Sequence, residues 1–253
     1  MKRFSLILIS WALLLQWGCQ FDSETSRPRL SMFIGVDISG SFKRTADYAD
    51  ALDFLSYYIY SHLNGLGGLE VPNVLFVSSI GGSTAGEPKT FYPIQTFENK
   101  TIPQIREKLE EIFTAGAINP FTDYNAFFEQ IAHVVRTKNL VLRPISVVML
   151  SDGVPDIKKK DATDFASIQL EPLERLARNV TVRLLYTDAV TGNQWQTRVK
   201  RRRVKLWTQD AEVLRSWKDP VILNVEADLD TQSHFFSWVH DNVDFGVRAR
   251  RVD

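Results

Sequence analysis

The sequence predicts an α/β fold: a doubly wound, mostly parallel sheet with helices on both faces and a C-terminal elaboration. Three observations carry this. Apolar runs of strand length at residues 30–36, 74–77, 145–150 and 180–186 alternate with segments whose apolar residues recur at helical spacing. The runs are near-continuous rather than alternating, as in parallel strands covered on both faces. Clusters of Gly, Asn and Pro separate strand from helix, and no internal repeat interrupts the series. Strand–helix alternation implies right-handed crossovers in one sheet.

The chain has 253 residues, enough for one large α/β domain. Lys and Arg number 30 against 30 Asp and Glu, so no global field points to nucleic acid or an acidic polymer. The single cysteine rules out an intrachain disulfide and a cysteine-built zinc site.

In chain order, Lys2 and Arg3 precede an apolar run at residues 4–15, and polarity rises at Gln20, which describes an export signal. The run is too short for a transmembrane helix, which needs about 20 apolar residues. Gly18-Cys19 closes it, and this resembles the lipobox of bacterial lipoproteins, with Gln16 and Trp17 where Leu and a small residue are usual. The resemblance implies a signal peptide over residues 1–19, lipid attachment at Cys19 and a place in the bacterial cell envelope, periplasmic or surface-facing. Gln20 after the cysteine resembles the outer-membrane default. Residues 20–29 are polar and read as a tether reaching at most ~35 Å at about 3.5 Å per residue.

Residues 30–36 form the first strand. Tyr48, Leu52, Leu55, Ile59 and Leu63 give a helix from Ala46, ended by Asn64-Gly65. Residues 74–77 are the second strand, and residues 90–97 a short edge strand. Ile102, Ile105, Leu109, Ile112 and Phe113 give a second helix, with Pro103 tolerable in its first turn. Phe127, Phe128, Ile131 and Val135 give a third over residues 123–136. A strand at 145–150 ends in Ser151-Asp152-Gly153, and a helix over 168–177 leads to a strand at 180–186. Residues 204–207 are the last parallel strand, with a helix over 211–217 behind it. Residues 30–217 therefore form one domain. Residues 218–253 are an extension packed on or near it, with a segment at 221–225, a helix over 231–239 and a segment at 245–252.

The candidate site begins at Asp37-Ile38-Ser39-Gly40-Ser41, where the first strand ends. An acid followed by two hydroxyls at alternate positions offers hard oxygen donors, which suit Mg²⁺, Mn²⁺ or Ca²⁺. In an open α/β sheet ligands bind beyond the carboxyl ends of strands, where strand order reverses. Asp152 emerges there if its strand neighbours the first. Thr122 opens at the same end, although a helix N-cap is its ordinary role. Asp156 and Asp188 are candidates to stand behind these ligands, with loop solvation or capping as the plainer role for both.

Asp37-x-Ser39-x-Ser41, then Thr122, then Asp152-Gly153 after an apolar strand, resembles the metal-ion-dependent adhesion site of von Willebrand factor A-type domains. The resemblance covers about residues 30–217. It implies that Ser39, Ser41 and Thr122 coordinate the cation directly, with Asp37 and Asp152 acting largely through bound water. A shell of neutral hydroxyls leaves the cation seeking an anionic ligand, which in that family is an acidic residue of a partner protein. The expected function is thus cation-dependent protein binding, not catalysis, with an envelope or surface protein as partner.

The run Arg198, Lys200, Arg201, Arg202 and Arg203, between two predicted strands, offers an alternative docking face for an anionic partner; a solvated, locally neutralised face is its plainer reading. Trp195 and Trp207 flank it, which makes a membrane-facing role conceivable. His62, His133, His234 and His240 lack metal-ligand spacing, and no Walker loop or nucleophile elbow is present. The competing class is a Mg²⁺-dependent phosphatase-like hydrolase, which also places an Asp after the first strand. Such enzymes of haloacid dehalogenase type need a second carboxylate two residues on as general acid. Ser39 occupies that position and has no proton to give near neutral pH.

Overall fold

Residues Ser31–Val36, buried throughout, form strand β1 at the centre of the molecule. The computed structural model describes residues 28–82, 84, 86–114, 121–156, 158–159 and 162–244. The chain continues through a single helical turn, α1 (Gly40–Lys43), the long helix α2 (Ala46–Leu63), and strands β2 (Val74–Ser79) and β3 (Tyr92–Pro93). Helices α3 (Ile102–Thr114) and α4 (Tyr124–Thr137) precede β4 (Ile145–Leu150). A two-residue hairpin, β5 (Lys158–Lys159) with β6 (Ala162–Thr163), and the turn α5 (Glu171–Glu174) lead to β7 (Val180–Thr187). Then come α6 (Ala189–Arg198), β8 (Val204–Asp210), α7 (Ala211–Arg215) and α8 (Ser233–Asn242).

The main sheet has the order β3-β2-β1-β4-β7-β8, with β3 alone antiparallel. The chain leaves β1 toward β2 and returns to add β4 on the other side, so the strand order reverses between β1 and β4. Val36 is in register with Leu150, which sets Asp37 beside Ser151 at that switch point.

Both sheet faces are covered, which is why β1, β4 and β7 are buried from end to end. Met32, Ile34 and Val36 point into a core shared with α2, α3 and α8, while Phe33, Val147 and Met149 point into a core shared with α4 and α6. Gly35 is needed where α4 crosses: a Cβ there would lie 2.6 Å from Phe127 Cζ and 2.7 Å from Ile80 Cγ1.

Four expectations are corrected. The edge strand over 90–97 shrinks to Tyr92–Pro93 and a 3₁₀ turn, Ile94–Thr96, because Pro93 has no N–H with which to extend the ladder. The helix over 168–177 is a 3₁₀ turn, Phe165–Ser167, followed by the one-turn α5; Pro172 prevents α5 from running back through Ile168. Residues 189–198, between the strands expected at 180–186 and 204–207, form α6. Thr191, Gly192 and Asn193 are poor helix formers, so packing rather than propensity makes this helix. Its Trp195 is fully buried, not membrane-facing, whereas Trp207 on β8 is partly exposed.

Residues 221–225 form no strand, and both Val221 and Val225 are exposed. The chain then re-enters the core through Leu223, Leu229, Phe235, Phe236 and Val239. Phe54 of α2 receives Trp217 and Trp238 edge-on at 5.7 and 5.8 Å. Residues 219–244 thus close one face of the sheet. The segment at 245–252 lies outside the described residues, as do residues 1–19, expected to be a signal peptide ending in Cys19, and most of the expected tether at 20–29. No helix among the described residues is long and apolar enough to cross a membrane.

Candidate metal centre

Asp37 follows β1 and is fully buried. Its backbone N–H donates to the Leu150 carbonyl of β4 at 2.9 Å, so the sheet ladder itself fixes the residue. Both carboxylate oxygens are engaged by protein donors: Oδ1 accepts from the Ser39 N–H at 2.8 Å and Oδ2 from Ser151 Oγ at 2.6 Å. An aspartate so occupied has no oxygen left free of protein donors. It fits a role behind the cation, through water, better than one as a direct ligand.

Burial pushes the Asp37 carboxyl up to about 6, opposed by the bonds from Ser151 and Ser39 and reinforced by the charge of Asp152. Two carboxylates facing one buried point make a site that a cation would relieve. Asp152 is half-buried, and its Oδ1 accepts the Val154 N–H at 3.0 Å, which folds the loop after β4.

Ser39 precedes α1 and Ser41 lies within it, and their hydroxyl oxygens lie 3.0 Å apart. Ser39 is buried and Ser41 exposed, so the pair leads from the base of the crevice to its surface. That donor set is neutral, hard and close together, as Mg²⁺ or Mn²⁺ requires.

Thr122 is buried and leaves helix capping to its neighbour: Asp123 caps α4, accepting the Ala126 N–H at 2.9 Å. The Thr122 N–H instead donates to Asp156 Oδ2, and the Asp156 N–H returns to the Thr122 carbonyl at 3.5 Å. Asp156 therefore holds the Thr122 loop in place. Asp188 follows β7 but spends its carboxylate on capping α6, accepting the Thr191 N–H at 2.7 Å and the Thr191 hydroxyl at 2.8 Å. These bonds keep its carboxyl below the usual range. Among the described residues no three His, Cys, Asp or Glu side chains gather as a metal cluster, so any cation here depends on hydroxyl ligands.

Three residues that sequence reasoning did not place at this site tie the segments together. Ser151 joins β4 to Asp37, and Tyr124 of α4 places its hydroxyl 2.7 Å from Ser151 Oγ. Trp195 of α6 donates its indole N–H to the Gly153 carbonyl at 2.7 Å. Gly153 has φ +80°, and a Cβ there would lie 3.0 Å from Leu184, Thr187 and Thr191 side chains, so glycine alone suits the loop.

The basic run sits elsewhere. It precedes β8, whose first residue pairs with Val180 at the opposite end of the sheet from Asp37. It follows α6 rather than a strand, and Arg201 is spent closing that helix, donating to the Gln196 and Val199 carbonyls at 3.0 and 3.1 Å. The Arg202 and Arg203 N–H groups both donate to Glu174. Arg198, Lys200, Arg202 and Arg203 remain exposed.

No protein-family model matches the chain, and no curated protein sequence does. Among solved structures, manganese-loaded TRAP protein of Plasmodium vivax aligns at 15% identity and TM-score 0.47 over 76% of this chain and 72% of its own. Proximal thread matrix protein 1 from the mussel byssus aligns at 12% identity and TM-score 0.43, over 75% of this chain and 46% of its own. The pilus adhesin SpaC of Lactobacillus rhamnosus aligns at 14% and 0.46, over 77% and 29%. The chain thus spans less than half the length of the byssus protein and of the adhesin.

Proposed function

We propose that this chain is a cation-dependent protein-binding domain of von Willebrand factor A type, tethered to the bacterial envelope through Cys19. The reading rests on one observation. Two serine hydroxyls 3.0 Å apart open the crevice between β1 and β4, in front of a buried aspartate whose own oxygens are both held by protein donors. Ser39, Ser41 and Thr122 would hold Mg²⁺ or Mn²⁺ directly, and Asp37 and Asp152 would act through water. When bound, the cation supplies an electrophilic position for a carboxylate of a partner protein.

The chain's own residues do the positioning. Ser151 and the Ser39 N–H orient Asp37, the Asp156 carboxylate fixes Thr122, and Trp195 anchors Asp152-Gly153 from behind. A phosphatase-like reading has no general acid here, because Ser39 stands where the second carboxylate would be.

Isothermal titration of the full chain with Mg²⁺ and Mn²⁺ tests the proposal. Saturable binding lost in Asp37→Ala and Ser39→Ala, with the fold intact by circular dichroism, is expected. Absence of binding by the native chain overturns it. A pull-down from membranes in Mg²⁺, repeated with a chelator, then identifies the carboxylate-bearing partner.

A further inference from the structure

Strands β1, β4, β7 and β8 share a charge polarity that the metal centre does not explain. Each is entered past an arginine and left at an aspartate: Arg29 and Asp37 for β1, Arg143 and Asp152 for β4, Arg178 and Asp188 for β7, Arg203 and Asp210 for β8. The four run parallel, so these acids gather at the carboxyl ends with the metal centre and the cations at the amino ends. A chain with no net charge is thereby polarised along its strands. The eight residues of β7 span about 26 Å at about 3.3 Å per residue. That exceeds the ~8 Å Debye length at physiological salt, so each end acts on its own surroundings.

Backbone bonds join the amino-end loops into one surface. The Ser31 N–H donates to the Pro144 carbonyl at 2.9 Å, the Ile145 N–H to the Asn179 carbonyl at 3.0 Å and the Leu142 N–H to the Leu176 carbonyl at 2.9 Å. Glu174, through the bonds it accepts from the Arg202 and Arg203 N–H groups, ties in the loop before β8. Residues 138–144, 175–179 and 199–203 contain Lys and Arg but no Asp or Glu. Arg29, Arg178, Lys200, Arg202 and Arg203 are exposed and Arg143 is half-buried. None of the six joins an ion pair among the described residues. Of the nearby acids, Glu171 pairs with Arg175, and Glu70 precedes β2, on the far side of β1. With neighbouring strands about 4.8 Å apart, the cations spread over roughly 15 Å from β1 to β8.

The loop before β4, in the middle of this row, leaves Val141 41% and Leu142 75% exposed. Leu142 has φ +71°, a costly conformation for a leucine, and its bond to Leu176 helps to hold it there. An apolar tip among cations that lack acidic partners suits a lipid surface, where phosphates take the charges and the headgroup layer takes the leucine. We propose that this amino-end face docks on an anionic phospholipid bilayer. The proposal rests on the envelope placement given above. Residues 28–30 enter β1 at this same end, so the tether to Cys19 starts from the docked face. Docked in this way, the domain turns its metal centre away from the membrane and toward a partner.

The test uses the full chain with Cys19→Ser and one introduced cysteine, Leu142→Cys or Val190→Cys, labelled with nitrobenzoxadiazole. Val190 is exposed at the start of α6, at the metal end of the sheet. Vesicles are phosphatidylcholine alone or mixed with phosphatidylglycerol, each with a doxyl lipid as quencher and a chelator present. Quenching at position 142 with phosphatidylglycerol alone, none at position 190, and loss of quenching in high salt are expected. Lys200→Glu, Arg202→Glu and Arg203→Glu together should abolish it; if that variant does not fold, the salt response decides. Equal quenching in the two vesicle types or at the two positions, or quenching that survives high salt, overturns the proposal. No quenching anywhere also overturns it and leaves the face to an acidic protein. With neither Cys19 nor a cation in the assay, failure here is distinct from failure of lipid attachment or of metal binding.

Discussion

Ser151 Oγ donates to Asp37 Oδ2 at 2.6 Å, and in doing so it spends its only hydrogen. The oxygen then accepts from the Tyr124 hydroxyl at 2.7 Å and from the Gly153 N–H at 3.0 Å, which fills both lone pairs. One serine is thus saturated by three segments: the end of β1, the start of α4 and the loop after β4. It fixes the distance between the two acids of the crevice. Ser151→Ala should leave Asp37 and Tyr124 each short of a partner in a buried site. A loss of about 1–3 kcal/mol in urea denaturation is expected, together with a roughly 10–100-fold weaker Mn²⁺ affinity by titration, as for other residues that orient ligands.

Trp195 offers a cleaner separation of packing from positioning. Its indole is fully buried, and its N–H reaches the Gly153 carbonyl at 2.7 Å. Trp195→Phe keeps an aromatic ring against Tyr124, whose centroid lies 4.9 Å away, but leaves that carbonyl unbonded. Metal titration should show weakened binding, while Trp195→Leu, which also opens a cavity, should unfold at distinctly lower urea. Equal metal affinity in native chain and Trp195→Phe would mean that the loop is held without the indole.

The sheet and its switch point were legible because buried parallel strands are written as continuous apolar runs, and residues 145–150 were read to the residue. The positions of Asp37 and Asp152 at one crevice follow from two such strands being neighbours. Ser151, Tyr124 and Trp195 were not legible as contributors. Each looks locally like a turn residue, a helix residue or a loop aromatic, and its role exists only once β4, α4 and α6 meet. Helix α6 itself was missed because Asp188, an N-cap, and Trp195, a buried anchor, compensate for Thr191, Gly192 and Asn193. Asp123 likewise took the capping role that the sequence offers to Thr122.

Gly35 tests how closely α4 must approach the sheet. Gly35→Ala places a methyl 2.6 Å from Phe127 Cζ, well inside contact distance. Overpacking of this kind costs roughly 1–3 kcal/mol. Because the obstructing atom is the end of a side chain, Phe127→Leu should restore part of the loss when combined with Gly35→Ala, although alone it destabilises. A double-mutant cycle in urea measures the coupling, and strict additivity would move the conflict from Phe127 to Ile80, whose Cγ1 lies 2.7 Å from the same methyl.

Asp244 should make stability depend on pH in one direction. Burial raises its carboxyl, but the bonds and charges of His62, then Arg183, and the Tyr58 hydroxyl at 3.0 Å outweigh it, leaving the group below 3.8. A folded-state value depressed below the unfolded one means that the carboxylate stabilises the fold at any pH above the unfolded value. That contribution is lost as pH falls through the folded value. Asp244→Asn removes the charge and leaves the Arg183 guanidinium buried without its counter-ion, which costs roughly 3–5 kcal/mol for a buried pair. The gap between native chain and variant should therefore be fully present at about pH 5, where unfolded carboxyls are ionised, and should narrow as the solution is acidified below it. Urea denaturation at stepped pH measures this, and a gap that widened toward acid would reverse the assigned sign.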